Sequence, residues 1–154
     1  MQIMKTHRIL LQLFAFVAVS LSVATLQAGD HKKKVAGPNG GRIIAAIEPR
    51  AEFLVLPDRK VQITFLDNAG KAVPPAEQVV TVTAGERLSP TTLTFAKSGH
   101  ALVSNVALPK GDDVPAVVQI KSTAGAKAVT DKFTVDLSKC GECKLQEYAC
   151  ICAH

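Results

Sequence analysis

The sequence contains no tryptophan, and aromatic residues make up only 5% of its 154 positions. A core without large rings has to be built from Val, Ile, Leu and Ala, and the β-branched members of that set favour strands. The absence of tryptophan also excludes the buried Cys–Trp–Cys framework of antibody domains. An immunoglobulin-like architecture is therefore expected only in the loose sense of packed antiparallel sheets.

Residues suited to catalysis are equally scarce. The chain has four histidines, and His31 and His100 are expected to be solvated, one in an entry segment and one in a turn. A Ser–His–Asp arrangement and paired carboxylates cannot be assigned, and the glycine-rich residues 37–41 lack the Lys-Ser/Thr of a phosphate-binding loop. The sequence thus predicts a protein that is not an enzyme.

The N-terminus has basic residues and no acidic ones. Lys5 and Arg8 precede an apolar run over residues 9–26, and small residues then lead to a cleavage point near Ala28. This order is typical of a secretory signal peptide, so residues 1–28 are predicted to be removed on export. An uncleaved anchor is the alternative, but the charged stretch that follows favours cleavage. The protein is expected to be periplasmic or secreted, with membrane contact only through the signal peptide before cleavage.

The charge of the predicted mature part is mild. Removing Lys5 and Arg8 leaves 16 of the 18 Lys and Arg residues against 13 acidic residues, a net charge of +3. The lysines at 32–34 lie in a flexible polar entry predicted for residues 29–40, where a short charge run is usually solvated. Because exported proteins rarely meet nucleic acid, no nucleic-acid partner is expected.

Short apolar runs separated by turn residues occupy the middle of the chain. In one of them Val61, Ile63 and Phe65 alternate with polar residues, which is typical of a strand with one buried face. About eight such segments recur, roughly 8–12 residues apart: 42–47, 51–56, 60–66, 78–84, 91–96, 101–108, 114–122 and 128–137. Residues 41–138 are therefore predicted to be all-β, an antiparallel immunoglobulin-like β-sandwich of about seven to eight short strands.

All cysteines of the chain fall in an irregular tail, residues 139–154. They are Cys140, Cys143, Cys150 and Cys152. A C-x-x-C pair brings two sulfurs to one ion around a turn, which Gly141 would help to form, and a C-x-C pair supplies two more. His154 is an alternative or fifth donor. Thiolate and imidazole are preferred ligands of Zn²⁺ and Cu(I), so the sequence predicts a soft-metal site, with Zn or Cu as the ion.

Two other interpretations of the cysteines remain open. Exported proteins meet an oxidising compartment where cysteines pair, so the tail of a structural or protein-interaction module could be closed by disulfides, although loops this short stabilise a fold little. A thiol–disulfide redox pair at Cys140 and Cys143 is the third interpretation, but the helix start that would lower the pKa of such a thiol is not visible. Covalent haem is disfavoured because Lys144, not His, follows Cys143.

Three segments near the predicted mature N-terminus share features with a known domain. They are Gly37-Pro38-Asn39-Gly40-Gly41-Arg42-Ile43, Glu52-Phe53-Leu54-Val55 and Val61-Gln62-Ile63-Thr64-Phe65-Leu66-Asp67-Asn68-Ala69-Gly70-Lys71-Ala72-Val73. Together, over about 40 residues, they resemble the small β-rich periplasmic domain found in and beside heavy-metal efflux adaptor proteins. Members of that family often have His where this chain has Asn39. The resemblance implies a periplasmic β-sandwich in a metal-handling context, with a metal-efflux or envelope protein as partner.

Overall fold

The computed structural model describes residues 34–152. The predicted signal peptide with its cleavage point, His31 and His154 therefore lie outside the described residues. Within the described part, the helical structure consists of a single 3₁₀ turn, Glu147–Ala149. No helix in that part is long and apolar enough to cross a membrane.

Residues 34–152 contain nine strands, in place of the eight segments predicted. In chain order they are β1 (Arg42–Ile44), β2 (Arg50–Val55), β3 (Val61–Leu66), β4 (Ala72–Val73), β5 (Val79–Ala84), β6 (Thr91–Ser98), β7 (Ala101–Ser104), β8 (Asp113–Lys121) and β9 (Val129–Asp136). The additional strand, β4, has only two residues, too few to produce an alternating pattern. It follows a turn in which the Asp67 carboxylate accepts hydrogen bonds from the backbone amides of Ala69 and Lys71.

The strands form one antiparallel sheet in the order β1-β2-β3-β7-β6-β5-β8-β9, with β4 paired to β3. β6 connects its two halves, because residues 91–94 pair with β5 whereas residues 95–98 pair with β7. The sheet curls until its outer strands meet, where the Arg42 Nε of β1 lies 3.2 Å from a carboxylate oxygen of Asp131 in β9. The all-β, antiparallel class is confirmed, and the immunoglobulin-like arrangement stays a prediction.

The interior of the curled sheet is filled by the side chains that the period-2 pattern predicts. Along β8, four alternating side chains are at most 4% exposed: Val114, Ala116, Val118 and Ile120. Phe53 and Phe133 meet edge-to-face at 5.2 Å between ring centroids, which joins β2 to β9 across the core. Aliphatic residues with a few phenylalanines thus supply the burial, as the composition indicates.

β3 departs from the one-faced strand that its sequence predicts. Thr64, on the face expected to meet solvent, is only 4% exposed. Its hydroxyl accepts a hydrogen bond from the side chain of Gln62, and its cross-strand neighbour in β2 is the buried Glu52. The turn predicted at residues 37–41 is present and covers Glu52, so this part of the sheet is buried on both faces.

β1 and β7 are shorter than predicted. β7 ends at Ser104 rather than at residue 108, because the Ser104 hydroxyl accepts from the Val61 amide and donates to the Val106 carbonyl. This side chain takes the place of a backbone ladder and turns the chain out of the sheet. β1 ends at Ile44, where bends and turns begin before Arg50.

Candidate metal centre

A short hairpin after β9 presents the first two cysteines. Lys139 and Gln146 form an isolated antiparallel bridge, and the loop between them closes with a 2.8 Å hydrogen bond from the Cys140 amide to the Leu145 carbonyl. Lys144 has a φ of 62°, in the left-handed region. The left-handed residue of the loop is therefore Lys144, whereas Gly141 was expected to help form the turn. The segment predicted to be irregular has a defined hydrogen-bonded path.

The 3₁₀ turn then brings the second pair of cysteines back to the first. The Cys150 amide donates to the Glu147 carbonyl at 3.0 Å, which ends the turn directly at the first cysteine of that pair. Tyr148, in the middle of the turn, is 4% exposed. Its ring packs edge-on against Phe53 at 5.9 Å, and its hydroxyl accepts a hydrogen bond from the Val55 amide. The hydrophobic core thereby holds the turn in place.

The four sulfur atoms converge on one point. All of them lie within 4.8 Å of one another. Cys150 Sγ is 3.3 Å from Cys140 Sγ and 3.7 Å from Cys143 Sγ, and Cys140 Sγ is 3.8 Å from Cys152 Sγ. With a Zn–S distance of about 2.3 Å, a tetrahedral site requires sulfurs about 3.8 Å apart. The spacing thus fits four thiolates around one ion.

The protons of the cluster are unevenly distributed. Backbone hydrogen bonds from Ile151 and Leu145 lower the pKa of Cys143 to about 6. Burial, followed by hydrogen bonds with the Cys143 and Cys150 thiols, raises the pKa of Cys152. Cys143 therefore loses its proton more readily than Cys150 and Cys152, from which an incoming cation must displace protons.

The pKa of Cys150 is set by opposing interactions. The Cys152 amide donates to its sulfur at 3.3 Å. That backbone bond acts to lower the pKa of Cys150, but burial together with the thiols of Cys140 and Cys143 outweighs it, and the pKa is raised. Amides that point at sulfur are ready to stabilise thiolates once a cation is bound.

No pair of cysteines is at bonding distance in the described residues, which include all four cysteines. The sulfurs of Cys140 and Cys150 are 3.3 Å apart, whereas the S–S bond length is about 2.05 Å. The Cys140–Cys143 pair lies in a hairpin loop and not at a helix start, the position that activates a thiol in thioredoxin-like motifs. The arrangement is suited to holding a cation.

The structural roles of two residues were not predicted from the sequence: Tyr148 in the tail, and Glu52 beneath the turn at residues 37–41. Tyr148 is the only tyrosine of the chain, and its place among polar residues was the available signal that the tail is anchored. Glu52 is fully buried, and its carboxylate accepts hydrogen bonds from the amides of Asn39 and Gly41 and from the Asn39 side chain. Its position as a carboxylate inside an apolar strand was the sequence feature that could have indicated a buried, hydrogen-bonded side chain. His100 lies in the exposed turn between β6 and β7, as predicted.

The chain matches no known protein family, no curated protein and no solved structure.

Proposed function

We propose that this is an exported, non-enzymatic metal-binding protein whose four cysteines hold one soft metal ion. The observation that carries the proposal is the convergence of four sulfurs within 4.8 Å at the end of an ordered tail. A tetrahedral set of four sulfurs is typical of Zn²⁺, and soft thiolates also select Cu(I). Zn²⁺ is favoured, because Cys140–Cys152 and Cys143–Cys150 have the separations of tetrahedral edges. His154, two positions beyond Cys152, is the alternative or fifth donor.

The scaffold supports a role in metal handling outside the cytoplasm. The turn and the acidic strand residue that carry the resemblance to domains of heavy-metal efflux adaptors are in contact, through Asn39 and Glu52. A metal-efflux or envelope protein is accordingly the proposed partner. We also propose that the curled sheet is related to the immunoglobulin-like sandwiches. Residue 39 contributes a hydrogen-bonded amide here, so the proposed ion belongs to the cysteines and not to this turn.

The test is zinc binding by the reduced protein. The wild type should take up one equivalent of Zn²⁺, measured by elemental analysis and by competition with a chromophoric chelator. A variant with all four cysteines changed to serine should bind none, and His100→Ala, far from the cluster in sequence and in an exposed turn, should bind normally. Equal zinc binding by the wild type and the four-serine variant would refute the proposal.

The second candidate is a structural or interaction module whose tail is closed by disulfides. The 3.3 Å contact between the sulfurs of Cys140 and Cys150 favours it, because a small movement would bring these atoms to bonding distance. Mass spectrometry of protein purified from its native compartment separates the two candidates. Four thiols with bound metal support the metal site, whereas zero thiols without metal support the disulfide-closed module. The same spectra report the mature N-terminus and test export.

A further inference from the structure

A groove of about 300 Å³ runs beside the cysteine cluster. The segment leading into β1, the strands β1 and β2, and the tail from Tyr148 to Ile151 line it. Cys150 is part of its wall, so a molecule bound in the groove would lie next to a metal ligand.

The charges along the groove have one sign. Lys34, Arg42 and Arg50 line it, and no acidic side chain of the described residues does. Arg42 is paired with Asp131 at 3.2 Å. Arg50 donates to the carbonyl oxygens of Asp67 and Asn68, which are neutral acceptors, so its charge is not cancelled there. The groove therefore carries an excess of positive charge.

The rim of the groove is apolar. Five large apolar side chains are exposed in the described part of the chain: Val35, Val79, Leu88, Val106 and Ile151. Two of them, Val35 at 67% and Ile151 at 37% exposure, line this groove. Exposed apolar residues concentrated in a concave surface, with charges beside them, are a feature of protein–protein contacts. A small inorganic anion would use the cations but not this rim.

We infer that the groove binds an acidic, partly apolar segment of a partner protein, and that this partner exchanges metal with the cysteine cluster. The inference rests on the proposed function. A zinc ion with four thiolates leaves a net charge of −2, which by itself repels an acidic partner. Lys34 and Arg50 would attract such a segment to the side of the centre. The half-buried Cys143 and Cys152, in contrast to the 1% exposed Cys140, would then be the ligands that an incoming group reaches first.

The test uses the zinc-loaded full chain and two dye-labelled peptides of equal length without cysteine. One peptide carries Asp, Glu and Leu, and the other carries Lys in place of the acidic residues. Fluorescence anisotropy should detect binding of the acidic peptide only, weakening as salt is raised. The double variant Lys34→Glu, Arg50→Gln should raise Kd about tenfold. Lys97→Glu, in an exposed part of β6 outside the groove, should leave it unchanged.

Several outcomes overturn the inference without touching the proposed function. The first is equal binding of the two peptides, and the second is an equal loss of peptide affinity in the double variant and in Lys97→Glu. The third is a loss of zinc affinity in Lys34→Glu that is as large as its loss of peptide affinity. The last result would mean that the cations serve the centre and not a partner. Conversely, a wild-type protein that binds neither Zn²⁺ nor Cu(I) overturns the proposed function. Lys34→Glu alone keeps the test valid if Arg50→Gln disturbs the turn that Arg50 supports.

Discussion

The backbone amide of Val55, at the end of β2, donates a 2.9 Å hydrogen bond to the phenolic oxygen of Tyr148, between the two cysteine pairs. This bond links residues 93 positions apart in the chain and joins the candidate metal centre to the core of the sheet. Burial, with a contribution from the charge of Glu52, raises the pKa of Tyr148, so the phenol remains protonated at neutral pH. The tertiary structure therefore positions the cysteine tail.

Truncating the tyrosine should loosen the metal centre. Tyr148→Ala removes a buried ring and should lower the free energy of unfolding by about 3–5 kcal/mol, whereas Tyr148→Phe removes one hydrogen bond and should cost about 1–2 kcal/mol. Urea unfolding of the reduced, metal-free proteins measures both. Zinc affinity should fall markedly in Tyr148→Ala and little in Tyr148→Phe. Identical zinc affinity in all three proteins would show that Tyr148 does not position the cysteines.

Cys143 should be the first thiol to be alkylated in the reduced, metal-free protein. Its pKa is lowered to about 6, so it is a thiolate at pH 7, and its reaction rate should fall as pH drops through 6. Cys152, with a raised pKa, should react slowly. Brief treatment with iodoacetamide followed by peptide mapping measures the order. Preferential labelling of Cys152 would contradict this assignment of charge, and zinc loading should suppress labelling of both.

The two cysteines of the hairpin should differ in their contribution to stability without metal. Cys140 is 1% exposed, whereas Cys143 is partly exposed. Cys140→Ser places a hydroxyl in a buried position and should cost about 1–3 kcal/mol, whereas Cys143→Ser should change stability by less than about 0.5 kcal/mol. Thermal unfolding with reductant and chelator present compares them. Both variants should weaken zinc binding, because each lacks one ligand.

Gly41 should not tolerate a side chain. A Cβ atom at this position would clash with the carbonyl oxygen of Phe53, a backbone atom that cannot rotate away. Gly41→Ala should therefore destabilise the protein by about 1–3 kcal/mol or more. Gly125→Ala is the matched control, because nothing lies within 4 Å of its Cβ position, and its effect should stay within about 1 kcal/mol. Equal unfolding midpoints in urea would show that the turn shifts easily away from β2.

Much of the fold could be read from local pattern. The alternation in β5 and β8 reports the burial of every second side chain, and the structure confirms it. β4 was not predicted because a strand of two residues shows no alternation. The early end of β7 was not predicted because it depends on the hydrogen bonds of the Ser104 hydroxyl with residues outside β7. Thr64 was assigned to solvent because alternation says nothing about a distant turn that covers the second face.

The candidate site likewise has features that local sequence predicts and features that depend on tertiary structure. The kinds and spacing of the cysteine ligands are local properties, so the sequence by itself was sufficient to identify a potential soft-metal site. Their convergence within 4.8 Å depends on a hairpin bridge, a 3₁₀ turn and the Val55–Tyr148 contact, which only the tertiary structure decides. The low aromatic content already pointed to an aliphatic strand core. That the ring of Tyr148 holds the cysteines against this core was determined by packing between residues distant in the chain.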